Sequence, residues 1–182
     1  MTDREGARRR LVVLHERIAE RTAAILDAQP SWPCRKGCDT CCHRLARPPE
    51  LTPAEWAELW EGFLALEPDT RRQIRARVTE LAADVVRGAR LFVCPMLVRE
   101  SGACLVYAHR PAACRMYGFY VSRGEGRYCD LIHERVSRGD FDGVLWGNHD
   151  AVEREFAQAF GAPISIVAWF EQATDDPSAD GR

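Results

Sequence analysis

The densest cysteine run in this chain is Cys34-Arg35-Lys36-Gly37-Cys38-Asp39-Thr40-Cys41-Cys42. Cysteines separated by two or three residues bring their thiolates onto one soft metal ion, at a metal–sulfur distance of about 2.3 Å. Cys34, Cys38 and Cys41 are therefore predicted to bind one ion together. Cys42 does not fit that ion, because adjacent side chains of an extended segment point apart. We expect Cys42 to serve a second ion, to bridge two ions, or to stay free.

The other four cysteines lie further along the chain. They occur in Cys94-Pro95-Met96-Leu97, in Cys104-Leu105-Val106-Tyr107, in Arg110-Pro111-Ala112-Ala113-Cys114-Arg115, and at Cys129. Disulfides and core cysteines are the alternatives to metal ligation. Core cysteines would be scattered at helical spacing, and a domain of 182 residues does not need disulfides to fold. The pattern therefore favours metal ligation by all eight cysteines.

Composition narrows the class of protein. Hydrophobic residues make up 46% and charged residues 29% of the chain, as in ordinary globular domains. The net charge of −2 gives no basic field for nucleic acid, and no apolar run of about 18 residues predicts a membrane span. The apolar run Leu11–Leu14 is too short for a signal peptide. We therefore expect a cytoplasmic location, where structural disulfides are rare.

The predicted fold is mainly α, with a small irregular or β-hairpin core that carries the cysteines, in a single domain over residues 1–173. Residues 174–182 are predicted to be a disordered acidic tail. Hydrophobic spacing predicts helices over residues 4–28, 52–66, 69–88 and 150–160 and a brief helix after Arg110-Pro111. The clearest local signal is Thr52-Pro53-Ala54-Glu55, which reads as a helix-capping box.

The sequence between these helices is harder to assign. The runs 93–98 and 104–107 are predicted to form a short hairpin, and residues 118–129 a loop or a second hairpin around Arg123-Gly124-Glu125-Gly126. Residues 164–170 are apolar and fit either a strand or a helix.

Together, the two cysteine blocks and their proline and arginine neighbours resemble a bacterial family, the YkgJ-like cysteine-cluster proteins. That family is also described as a zinc- or iron-chelating domain with a CxxCxxCC signature. The resemblance runs from Cys34 to Cys129 and includes all eight cysteines. It implies a protein that binds a metal ion or an iron–sulfur cluster. A related motif occurs in a flagellin lysine methylase, but this chain lacks a cofactor fingerprint for methyl transfer.

The first block also resembles the cluster loop of radical S-adenosylmethionine enzymes. Those enzymes usually carry an aromatic residue just before the third cysteine, where this chain has Thr40. They also need a large β/α barrel, and no run of alternating strands and helices is present. We therefore set this resemblance aside.

The nature of the cofactor has to be argued from its ligands. Eight thiolates suit two tetrahedral zinc ions or cubane iron–sulfur clusters. We slightly favour an iron–sulfur cluster, because a Cys-Pro pair such as Cys94-Pro95 also occurs beside cluster ligands in ferredoxins. Arg110 and Arg115 are candidates for cofactor binding, by offsetting thiolate charge next to the ligands. The alternative is that both arginines are surface charges.

Two classes of function remain. One is a non-catalytic metal-binding protein that serves as a structural module, a metal carrier or a cluster donor. The other is a cluster-dependent redox or group-transfer enzyme, similar to an iron–sulfur oxidoreductase, which needs a base or nucleophile beyond the ligands. The candidates for that role are His109, Tyr117, His133, His149 and Asp150. Such residues more often have structural roles, so the binding class is favoured. The predicted partner is a metal ion or cluster, with no nucleic acid or membrane, and the sequence leaves any protein partner open.

Overall fold

The computed structural model describes residues 2–174 and shows a mainly helical chain with short strands, which confirms the predicted fold class. The helices are α1 (Thr2–Ala28), α2 (Pro53–Leu64), α3 (Pro68–Val86), α4 (Ala112–Met116), α5 (Asp130–Ser137), α6 (His149–Ala159) and α7 (Ile166–Thr174). The strands are β1 (Glu50–Leu51), β2 (Leu97–Val98), β3 (Ala103–Cys104), β4 (Tyr120–Ser122), β5 (Glu125–Gly126), β6 (Gly147–Asn148) and β7 (Ile164–Ser165). Short 3-10 turns cover Thr40–His43 and Tyr107–His109.

The chain folds into two compact units, each built from two separate stretches of sequence. Unit 1 consists of the chain up to Cys38 and of Arg110–Gly161. Unit 2 consists of Asp39–His109 and of the chain from Ala162 onward. The 1–173 single-domain assignment stays a prediction.

In unit 1, the long helix α1 packs against α4 and β6. The predicted apolar face of α1 is confirmed, since each of the four side chains assigned to that face is at most 3% exposed: Leu11, Leu14, Ile18 and Ile25. Beyond the helix, the fully buried Trp32 packs against Phe119, Phe141 and Trp146. Strand β4 pairs antiparallel with β5 and parallel with β6. The second predicted hairpin is therefore present.

In unit 2, α3 packs against α7, and β1 pairs antiparallel with β7. The predicted capping box at α2 is confirmed. The amide of Glu55 donates to Oγ1 of Thr52 at 3.4 Å, and the amide of Thr52 donates to Oε2 of Glu55 at 3.0 Å. Strands β2 and β3 form the predicted hairpin, with Leu97 opposite Cys104. The hairpin carries Cys104, and the turn before it carries Cys94, beside the apolar core of the unit.

Two segments differ from the sequence interpretation. Helix α5 begins immediately after Cys129 in a stretch where no helix was predicted, because its charged sequence Asp-Leu-Ile-His-Glu-Arg-Val-Ser buries only Ile132. The run 164–170, which fitted either a strand or a helix, contains both, since strand β7 leads directly into helix α7. The predicted acidic tail lies outside the described residues, except for Thr174 at the end of α7. Within residues 2–174, none of the helices has the length and apolar character needed to cross a bilayer.

Candidate metal centre

The thiols of Cys41 and Cys42, both in unit 2, lie close together, although side chains of sequence neighbours would point apart in an extended segment. The segment Thr40–His43 is a 3-10 turn rather than an extended segment, and the amide of Cys42 donates to the carbonyl of Asp39 at 2.8 Å. The Sγ atoms of Cys41 and Cys42 are 4.0 Å apart. A tetrahedral ion with metal–sulfur bonds of about 2.3 Å separates its sulfur ligands by about 3.8 Å. The assumption that this segment is extended is therefore wrong, whereas the role of Cys42 stays a prediction.

Backbone hydrogen bonds bring Cys94 to the same place. Its amide donates to the carbonyl of Cys42 at 2.8 Å, and the amide of Leu97 donates to the carbonyl of Cys94 at 3.2 Å. This turn leads into β2, whose Leu97 pairs with Cys104 across the hairpin. Cys94 and Cys104 both pack against the apolar core of unit 2. The fold thus brings Cys94 beside Cys42 and places Cys104 across the hairpin from Leu97.

The electrostatics of Cys42 reflect this crowding of thiols. The hydrogen bond with Cys41 lowers the pKa of the Cys42 thiol. The hydrogen bond with Cys94, burial, and the charges of Cys94 and Cys104 outweigh it and raise that pKa to about 12. Several thiolates in one place repel each other unless a cation is shared between them. A bound metal ion reverses this balance, because a coordinated thiol is deprotonated.

Arg77, which the sequence analysis did not identify, stabilises the turn after Cys94. Arg77 on α3 donates through Nη1 to the carbonyl of Leu97 at 2.8 Å and to that of Pro95 at 3.4 Å. These bonds tie the first strand of the hairpin to a helix of the core. No sequence signal marks Arg77, because its spacing from Cys94 is unrelated to any ligand motif.

The remaining cysteines, Cys34, Cys38, Cys114 and Cys129, belong to unit 1. The thiol of Cys34 donates to the carbonyl of Tyr117 at 3.7 Å. Cys114 is exposed on α4, and Cys129 is the residue that precedes α5. None of the eight cysteines forms a disulfide with another described residue. Their role as ligands stays a prediction.

The two arginines predicted to flank the ligands also lie in unit 1. Nε of Arg115 donates to the carbonyl of Arg110 at 2.7 Å, which holds its side chain back along the chain that leads into α4. Arg115 also helps to lower the pKa of His15, after the larger effect of burial. A role for Arg110 or Arg115 beside a metal stays a prediction.

Three of the candidate catalytic residues make contacts of a structural kind. Nδ1 of His109 lies 3.4 Å from Oε1 of Glu58, and its ring packs on Gly62, where an added Cβ would lie 2.5 Å from Cδ2 of the imidazole. Tyr117 supplies its backbone carbonyl to Cys34. His133 is exposed on α5, with its ring 6.3 Å from that of Tyr128.

His149 and Asp150 stand at the start of α6, where Asn148 caps the helix by accepting from the amide of Ala151. Asp150 accepts from the hydroxyl of Ser122 at 2.6 Å and from the amide of Arg123 at 2.9 Å. These bonds, that with Ser122 first, lower the pKa of the Asp150 carboxyl. Arg123 has a left-handed φ of 50° and lies in the tight turn between β4 and β5. The hydrogen bonds of the Asp150 carboxylate therefore stabilise this turn.

Ligand atoms of His149, Asp150 and Glu153 lie within 4.8 Å of one another. Both oxygens of Asp150 already accept hydrogen bonds from the hairpin, and Glu153 is exposed. These features weaken it as a metal site, although no three thiols among the described residues lie as close together as these ligand atoms do.

One comparison with known proteins adds to this geometry. The family model of CxxCxxCC, described as a putative zinc- or iron-chelating domain, matches residues 33–137. The chain belongs to this family. The matched region covers more than half of the chain and includes every cysteine, so the resemblance inferred from the cysteine blocks is confirmed. Searches of curated proteins and of solved structures found no match.

Proposed function

We propose that this protein binds single tetrahedral metal ions through its thiolates, that the metal is zinc, and that Cys41, Cys42, Cys94 and Cys104 form one binding site. The observation that supports this most directly is the distance of 4.0 Å between the Sγ atoms of Cys41 and Cys42. Two thiolates at this distance suit a metal ion that prefers soft ligands and a tetrahedral geometry.

The spacing favours one ion over a cubane cluster. In a cubane iron–sulfur cluster, each of the four thiolates binds a different iron, so that adjacent ligand sulfurs stand well apart. Around a single ion they are neighbours on one tetrahedron, at about 3.8 Å. The distance between Cys41 and Cys42 lies close to the second arrangement. We therefore favour zinc over a cubane cluster, in contrast to the slight preference for iron–sulfur that the Cys-Pro pair supported.

A four-thiolate zinc site also favours the binding class of function over the enzymatic class. Zinc sites with four protein ligands are closed, whereas catalytic zinc keeps one position open for water or substrate. We infer that the ion joins the turn at Cys41 to the hairpin of Cys94 and Cys104 and so stabilises unit 2. A reducing cytoplasm, the proposed location, keeps these thiols available as ligands.

Metal analysis of the purified protein tests this proposal. The chain is purified without oxygen and measured for zinc, iron and acid-labile sulfide, together with its visible absorption spectrum. We expect a colourless protein that contains zinc. Iron with sulfide and a broad visible absorption would show that the cofactor is an iron–sulfur cluster and not zinc. A chain without bound metal would contradict the proposal.

Substitution at Cys42 tests the ligand set. Cys42→Ser should lower the zinc content, because serine replaces a soft thiolate by a hard hydroxyl of similar size. The matched control is Ala103→Ser, which adds the same hydroxyl at an exposed position next to Cys104. Unchanged zinc in Cys42→Ser would show that Cys42 is not a ligand.

A further inference from the structure

We propose that His149, Asp150 and Glu153, at the start of α6, bind a divalent metal ion that keeps water on its remaining positions. The ligand atoms of these three residues lie within 4.8 Å of one another. The site uses no cysteine, and it lies outside residues 33–137, the region that the family model matches. It is therefore independent of the proposed thiolate site.

Helical geometry puts the three side chains on one face of α6. Residues three or four positions apart are neighbours on a helix surface, and Glu153 follows Asp150 by three positions and His149 by four. Nδ1 of His149 lies 3.5 Å from Oε1 of Glu153. Two ligands of a tetrahedral ion with metal–ligand bonds of about 2.0–2.1 Å lie about 3.3–3.4 Å apart. The spacing of this pair thus suits one ion shared by the two atoms.

A second observation is the burial of the imidazole nitrogen. Nδ1 of His149 is buried and makes no hydrogen bond to any residue that the structure describes. The His149 side chain is only 15% exposed, and its distance of 3.5 Å to Glu153 is longer than a normal hydrogen bond. A buried polar atom without a hydrogen-bond partner is costly. A metal ion that accepts the lone pair of Nδ1 removes this cost, because neutral imidazole is a common metal ligand.

The hairpin of β4 and β5 orients the Asp150 carboxylate. Oδ1 of Asp150 accepts from the hydroxyl of Ser122 at 2.6 Å, and Oδ2 accepts from the amide of Arg123 at 2.9 Å. Each carboxylate oxygen has two lone pairs, so both oxygens keep one for a metal ion. Carboxylates that bind metals are commonly hydrogen-bonded in this way, which fixes their orientation. The bonds that compete for Asp150 therefore also hold it in place beside His149.

The donor set defines the class of metal ion. One imidazole nitrogen and two carboxylates suit a divalent ion such as Zn²⁺ or Mn²⁺, and the two negative charges of the carboxylates offset the charge of the ion. Three protein ligands leave at least one position open for water, unlike a closed structural site of four ligands. Soft thiolates select zinc, whereas carboxylates also suit Mn²⁺. Mn²⁺ is therefore a probe that separates this site from the cysteines.

Binding of Mn²⁺ to the full chain tests the proposal. The purified protein is dialysed against citrate, a weak chelator, and titrated with Mn²⁺, whose sharp electron paramagnetic resonance signal is lost on binding. We expect one bound Mn²⁺ per chain, which added Zn²⁺ displaces because zinc binds such ligands more tightly. Glu153→Gln and His149→Gln should each weaken Mn²⁺ binding by at least about tenfold, since loss even of groups that orient ligands lowers metal affinity by about 10–100-fold.

Glu155→Gln is the matched control. It removes the same charge from the same helix, at a residue whose ion pair is with Arg17, and it should leave Mn²⁺ affinity unchanged. Glu153 is exposed, so Glu153→Gln tests the site without disturbing the core.

Two results would overturn the proposal. One is a wild-type chain that binds no Mn²⁺, and the other is equal Mn²⁺ affinity in wild type, Glu153→Gln and His149→Gln, which would leave His149 and Glu153 as an ion pair of the helix. Either result leaves the thiolate site intact, because the zinc content of the purified chain reports on that site separately. A chain that binds Mn²⁺ as expected but holds no zinc through its cysteines would contradict the proposed function alone.

Discussion

The backbone amide of Cys94 donates a hydrogen bond of 2.8 Å to the carbonyl of Cys42. This bond joins the first cysteine block to the second without any metal ion. Together with the packing of Cys94 and Cys104 on the apolar core, it holds three of the proposed ligands of unit 2 in the folded chain. An ion that binds there has less conformational entropy to remove than it would in an unfolded loop.

Removal of the metal should therefore loosen unit 2 locally. We expect the amides of Cys94, Leu97 and Leu105 to lose hydrogen-exchange protection after chelation, because ligation contributes folding free energy to this part of the chain. Amides of Ile74 and Val78, in the middle of α3, should change less, since both side chains are buried in the apolar core. Equal loss of protection in the two regions would contradict this expectation.

Substitution of Arg77 should weaken zinc binding without removing a ligand. Arg77→Gln breaks the bonds to the carbonyls of Pro95 and Leu97, so the Cys94 turn is held less firmly. Loss of groups that orient ligands typically lowers metal affinity by about 10–100-fold, and a competition titration with a zinc-binding dye measures the change. Arg72→Gln is the control, because Arg72 is an exposed residue of the same helix whose ion pair is with Asp69. Equal affinities of the two variants would remove Arg77 from this role.

Thr52→Ala should lower the free energy of unfolding. The substitution removes the hydroxyl that accepts from the amide of Glu55, and loss of an N-cap costs about 1 kcal/mol. Thr52 is 2% exposed, so water cannot replace the hydroxyl easily. Denaturant unfolding measures the effect, and Thr79→Ala, on the exposed part of α3, should change stability much less. A similar loss in both variants would argue against a specific role for the cap.

Acid should destabilise unit 1 through His15. Burial, and then the charge of Arg115, lower the pKa of His15 to about 4 in the folded chain, below its usual value of about 6.5. Between these two values the unfolded chain binds more protons than the folded one, so the free energy of unfolding falls as pH decreases from about 6.5 to about 4. His15→Gln should flatten this part of the stability curve, measured by denaturant unfolding at several pH values. His133→Gln, at an exposed position, serves as the control. An unchanged slope in His15→Gln would contradict the assignment.

Local signals in the sequence predicted the helical frame well. The capping box at Thr52 and the apolar spacing of α1 are interactions between residues close in sequence, so their physics is contained in the pattern itself. The hairpin of β2 and β3 is also local. Helix α5 escaped prediction because its single buried residue, Ile132, gives no periodic signal, and its burial depends on contacts with distant parts of unit 1.

The pairing of the cysteines was not predictable from their spacing. Adjacency of Cys41 and Cys42 indicates separation only if the backbone is extended, and the 3-10 turn at Thr40–His43 changes the direction of both side chains. The bond between Cys94 and Cys42 connects segments that are far apart in sequence, and no local pattern encodes it. The role of Arg77 was not predictable for the same reason, because its bonds are to Pro95 and Leu97.

The division of the chain between the units has a consequence for synthesis on the ribosome. Cys34 and Cys38 emerge together with Cys41 and Cys42, well before Cys114 and Cys129, although Cys34 and Cys38 share unit 1 with the later pair. Translation adds about 5–20 residues per second, so Cys41 and Cys42 wait in the nascent chain for seconds before Cys94 and Cys104, the other proposed ligands of unit 2, are made. During that time the nearest other thiols are those of Cys34 and Cys38, which belong to the other unit. If the proposed site of unit 2 binds zinc, its loading would therefore depend on the order in which the cysteines leave the ribosome, as well as on their affinity for the metal.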